Sequence, residues 1–169
     1  MKRIVVFSLP LFVLLLLGRQ QPINEIYLIP HEFHGYVAVV FDVKEGEKEV
    51  FEDGWRVYQI PEDGILLTQA KFNHTMHQDK NFFVTDGKRT TMPESDQIEP
   101  DALKAKGIKD DDVFFHGDGS SGVADFYFVD SFVGTYKEFK ATPQDFMPIT
   151  LRQRIADKLT RITGKKVSL

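Results

Sequence analysis

Between Tyr36 and Val43 the chain reads Y-V-A-V-V-F-D-V, and this octet limits the fold more than any other feature. Val37, Val39, Phe41 and Val43 lie on one side of an extended strand; Tyr36, Ala38, Val40 and Asp42 lie on the other. Shorter stretches of the same kind recur, each closed by turn residues. Glu25 to Pro30 ends in proline, and Trp55 to Ile60 sits between Asp53-Gly54 and Pro61. Ile65 to Ala70 follows the turn Glu62-Asp63-Gly64, and Asn81 to Thr85 stops at Asp86-Gly87. Val113 to Phe115 and Val123 to Val133 add dense aromatic β sequence, and Thr135 to Phe139 reads as a final strand. The intervening H-G-D-G-S-S-G, residues 116–122, reads as loop by composition. Residues 86–111 are polar and form a long excursion, with one helical turn at Asp101 to Lys106 stopped by Gly107.

The last part of the chain changes period. Leu151, Ile155, Leu159 and Ile162 form one apolar helical stripe, with Thr150 as N-cap and Gly164 as C-cap. The opposite side carries Arg152, Arg154, Lys158 and Arg161. The expected architecture is mainly β: an antiparallel sandwich or partly open barrel with one C-terminal α-helix. One domain is expected over residues 24–163, its helix at 150–163.

The N-terminus has its own logic. Lys2 and Arg3 precede an apolar run from Ile4 to Leu17, broken only by Ser8 and Pro10. That run is too short for a bilayer-crossing helix of about 20 residues and matches an export signal. Residues 1–18 are therefore read as a signal peptide, cleaved imperfectly after Gly18, or as an uncleaved signal anchor. Arg19 stands where an acylated lipoprotein would carry cysteine, so lipid attachment there is chemically excluded.

Composition removes several classes. With no cysteine in 169 residues, disulfide scaffolds, cysteine-ligated zinc, iron–sulfur and thiol chemistry drop out. Charge divides unevenly: residues 20–149 hold 12 Lys/Arg against 24 Asp/Glu, whereas residues 150–169 hold six against one. The acidic body excludes a dedicated nucleic-acid binder. Membrane contact, where made, is expected through residues 4–17 or the basic helix.

Candidate sites are few. His74-x-x-His77 with Asp79 makes a two-histidine, one-carboxylate set able to ligate a transition metal. His31-x-x-His34 repeats the spacing, but neither pair has the glutamate of a His-Glu-x-x-His peptidase. Asp110, Asp111, Asp112 and Asp118 offer oxygen ligands for calcium without the spacing of an EF-hand. Tyr27, Trp55 and Tyr58 are a candidate aromatic platform for a ligand. Ser120 and Ser121 lie in G-S-S-G, which is not a nucleophile elbow. No set meets the requirements of catalysis, and no cofactor is called for.

Two blocks carry a resemblance. Ile26-Tyr-Leu-Ile-Pro-His-Glu-Phe-His-Gly-Tyr leads into Val-Ala-Val-Val-Phe-Asp, and Arg56-Val-Tyr-Gln-Ile-Pro-Glu-Asp-Gly-Ile-Leu follows. They resemble a family of small exported bacterial proteins of unknown function, often lipoproteins. That family's domains open on Tyr-Leu-Ile-Pro-x-x-Phe-x-Gly, with Tyr an alternative to Phe, and contain Ile-Pro-x-x-Gly-Ile. The resemblance spans residues 25–70 and, more loosely, Phe126 to Val129. It implies an envelope-associated β-domain and supplies no catalytic residues. The expected role is a non-catalytic exported envelope or periplasmic module, binding or structural, with an envelope partner of unspecified identity. The alternative is a metal-binding protein or metal-dependent enzyme using His74 and His77.

Overall fold

The computed structural model describes residues 22–73, 75, 78–142 and 149–168. Nine strands and three helices follow in chain order: β1 Glu25–Pro30, β2 Gly35–Val40, β3 Val50–Glu52, β4 Trp55–Gln59, β5 Ile65–Leu67, β6 Asp79–Thr85, β7 Lys88–Thr91, α1 Pro100–Ala105, β8 Phe114–Val123, β9 Phe126–Gly134, α2 Tyr136–Ala141 and α3 Ile149–Thr163. The strands form a five-stranded sheet, β3-β4-β1-β6-β7, and a four-stranded sheet, β5-β2-β9-β8. The fold is mainly β and sandwich-like, with the sheets not closed into a barrel.

Pairing departs from the antiparallel expectation. β1 runs parallel to both β4 and β6, and β2 runs parallel to β5. The remaining ladders are antiparallel, so both sheets are mixed. The turn residues mark where strands end, but they do not force chain neighbours to pair. Here β1 is the middle of its sheet, and its partners arrive from later in the chain.

Burial explains the octet as far as Phe41; Asp42 takes φ +57°, and Val43 joins the second core instead of the side expected from alternation. Val37, Val39 and Phe41 face the first core, between the sheets, with Tyr27, Ile29 and Tyr58. Ala38 and Val40 face a second core, packed under Leu151, Ile155 and Leu159 of α3. β2 is thus covered on both sides, and the molecule has three layers: sheet, sheet, helix. The apolar stripe of α3 lands as expected, except that Ile162 is 42% exposed.

Three local readings are corrected. Residues 116–122 are not loop but most of β8, pairing with β9 from Phe114↔Gly134 to Val123↔Phe126 around a bulge at Gly117/Gly119. The long aromatic β9 supplies a complete ladder, and that overrides the flexible composition. Thr135 to Phe139 is not a strand. Thr135 accepts from the Glu138 N–H, and the Glu138 carboxylate takes the Thr135 N–H, a reciprocal cap that starts α2. Helices also number three rather than one among the described residues. The turn expected near Asp101 is α1, followed by Gly107 at φ +77°.

One ion pair reports the shape of the larger sheet. Glu52 on β3 and Arg89 on β7 occupy its opposite edges, yet their side chains form two hydrogen bonds of 2.7 and 2.8 Å. A flat five-stranded sheet would hold those edges about 19 Å apart. The sheet is therefore strongly coiled, drawing its outer strands together on the side away from the first core.

Candidate functional site

The parallel register of β1 and β4 sets Glu25 beside Arg56 and Tyr27 beside Tyr58. All four side chains project inward, because they share strand parity with the core residues Ile29 and Ile60. Each is buried, none more than 4% exposed. Glu25 is the acceptor at the centre: Tyr58 Oη donates to Oε1 at 2.7 Å and Tyr27 Oη to Oε2 at 3.1 Å. Arg56 Nη1 lies 3.6 Å from Glu25 Oε1 and donates to Tyr58 Oη and to the Lys71 carbonyl, both at 3.3 Å. Arg56 Nη2 reaches Glu49 at 3.1 Å.

Burial raises the pKa of both phenols above the usual tyrosine range, and the negative charge of Glu25 pushes them further. They stay protonated and donate. Both oxygens of Glu25 are thus engaged by phenols that keep their protons. A cavity of about 70 Å³ touches Arg56 and Tyr58 and is otherwise lined by Leu66, Thr68, Ala70 and the segment 47–50. It has room for about two waters. Next to the cluster, Asn81 Nδ2 donates to Glu94 at 3.0 Å. Burial, then the charge of Asp79, raises the Glu94 pKa.

The aromatic platform divides. Tyr27 and Tyr58 meet with ring centroids 5.1 Å apart inside the first core. Trp55 has the opposite parity on β4 and stacks under Lys80 instead, with Nζ 3.8 Å from its ring centre. Of the metal set, His74 and His77 lie outside the described residues. Asp79 begins β6, half-buried, in register with Glu25. Among the described residues, no group of three or more metal-ligating side chains converges. His34 pairs with Glu138 at 2.9 Å, and His31 lies 6.2 Å from the Phe83 ring. In the acidic run, Asp112 accepts the Lys109 N–H within a turn.

The basic side of α3 divides as well. Arg152 donates to Ser121 Oγ, and Arg154 to the Asp63 carbonyl. Lys158 binds the Asp63 carboxylate at 2.7 Å and the Ile65 carbonyl at 2.6 Å. Burial opposes ionisation of Asp63, but the Lys158 hydrogen bond, the Ile65 N–H and the charges of Lys158 and Arg154 together hold the carboxyl below its ordinary range. Arg161 remains exposed beside a shallow hollow of about 290 Å³ that Asp63, Arg154, Asp157 and Lys158 also line. Among the described residues, no helix is long and apolar enough to cross a membrane. Residues 4–17 lie outside them.

Sequence reasoning missed Glu25 and Arg56. The signal was present: each shares parity with the most apolar face of its strand, where a charge needs a partner.

Comparisons agree with this architecture. A candidate lipoprotein from Bacillus anthracis, solved as a crystal structure, superimposes with a TM-score of 0.58 at 22% identity. The match covers 86% of this chain and 98% of that one. No curated protein matches the sequence. The profile of a family of unknown function, DUF6843, matches residues 21–143, and the chain belongs to that family.

Proposed function

We propose that the chain is an exported, non-catalytic module of the cell envelope, with a binding or structural role. One observation carries the non-catalytic part. The densest ionisable cluster, Glu25 with Tyr27, Arg56 and Tyr58, is buried, and both Glu25 oxygens are taken by the two phenols. It fixes strands in register and leaves no reacting group open to a substrate. The export part rests on the basic start and apolar run of residues 2–17. The fold shared with a candidate bacterial lipoprotein supports the same setting.

The test is intact mass and metal content of the protein from soluble and membrane envelope fractions. A soluble envelope species lacking residues 1–18, or a full-length species held in the envelope membrane, supports the reading. The first identifies a cleaved signal and the second an anchor. Recovery in the cytosol overturns it. So does about one equivalent of bound transition metal that disappears in His77→Ala, or a turnover abolished by changing one polar residue.

A further inference from the structure

The C-terminal end of α3 is built as a compact cationic tip. Gly164 takes φ +68° and ends the helix. The Lys165 N–H then donates to Thr163 Oγ1 at 3.2 Å, and the Val167 N–H to Thr160 Oγ1 at 3.0 Å. Val167 packs half-buried against the second core. The chain is thereby folded back at the end of α3, and Lys165 and Lys166 are exposed there, as are Arg161 and Ile162 of its last turn. Ile162 is an apolar side chain 42% exposed, between Arg161 and Lys165-Lys166 in the chain.

Charge bookkeeping favours an anionic surface over the protein's own body as the partner of this tip. The segment after residue 149 carries six cations and one carboxylate, Asp157, and among the described residues Lys158 pairs with Asp63 of the body. Arg154 lies close enough to the same Asp63 to help hold its carboxyl ionised, so Arg154 and Lys158 share one acid. Residues 20–149 carry twice as many acids as bases. An anionic surface repels that body and attracts the tip, which selects one orientation.

We propose that Arg161, Ile162, Lys165 and Lys166 form a peripheral docking surface for anionic phospholipid, the cations meeting phosphate headgroups and Ile162 entering the interface. This rests on the envelope reading above and adds the chemistry of what the module touches.

The experiment uses the full chain and vesicles of neutral phosphatidylcholine with or without phosphatidylglycerol. The readout is the ratio of partitioning onto anionic over neutral vesicles, so any contribution of residues 4–17 is common to all variants. The ratio is expected to fall by about a hundredfold in Arg161→Gln/Lys165→Gln/Lys166→Gln, since each cation contributes about fivefold. It is expected to collapse in high salt. Arg161→Gln alone gives about fivefold and serves if the triple variant fails to fold. An unchanged ratio overturns the proposal. Selective displacement by inorganic phosphate at matched ionic strength also overturns it, assigning a single-phosphate site in the hollow beside Asp63 instead. Neither failure alters where the protein fractionates, so the envelope reading stands or falls separately.

Discussion

Arg56 sits where its removal strands a charge. Arg56→Met leaves the buried Glu25 without its cation, and is expected to cost about 3–5 kcal/mol. Adding Glu25→Gln keeps an acceptor for Tyr58 while removing the stranded charge, so most of the loss should return. Urea denaturation of the single and double variants measures both, and a double variant as weak as the single one contradicts the charge argument. The phenols give a second test. Their pKa values are raised in the folded protein, so their contribution to stability is complete below the ordinary tyrosine value of about 10 and is lost as pH climbs through the shifted range. Tyr27 and Tyr58 are therefore expected to gain phenolate absorbance only as the protein unfolds in alkali. Tyr27→Phe/Tyr58→Phe should lack that phase, and its persistence would show other tyrosines to be responsible. At this scale the sequence was half legible. Tyr27 and Tyr58 stood out as aromatics, but reading them with Trp55 ignored that residues 55 and 58 of one strand face opposite ways. Glu25 and Arg56 were visible only as charges, because their partnership depends on a parallel register that no local pattern encodes.

The elements show where local chemistry wins and where it yields. α2 exists because Thr135 and Glu138 cap each other, so Thr135→Ala should destabilise the protein by about 1 kcal/mol. Thermal unfolding monitored by circular dichroism checks this, and no shift in midpoint would mean that packing of Phe139 alone holds the helix. The capping box was readable as T-x-x-E in Thr135 to Glu138, and the aromatic residues around it hid the signal. β8 is the reverse case. Its Gly and Ser residues favour no strand, and the ladder from β9 imposes one. β1, β4, β6 and α3 were legible because period and punctuation agreed, whereas β3 and β7 are short exposed edges without an apolar signature of burial.

The whole molecule is a three-layer object whose acidic and basic parts are separated in sequence, the basic helix packing on the acidic body. That arrangement accounts for β2 and β5, apolar on both sides, and, among the described residues, for α3 as the helix long enough to cover a sheet. It also fixes an order of events. β1 lies between β4 and β6, so its two edges stay unpaired until residues 55–59 and 79–85 have left the ribosome, and the helix that closes the third layer comes later still. Long-range parallel ladders of this kind close slowly, on the millisecond-to-second scale typical of high contact order. Time is thus written into the topology. On the export proposed above, a translocation channel that accepts only unfolded polypeptide would have the interval before any sheet can close in which to take the newly made chain.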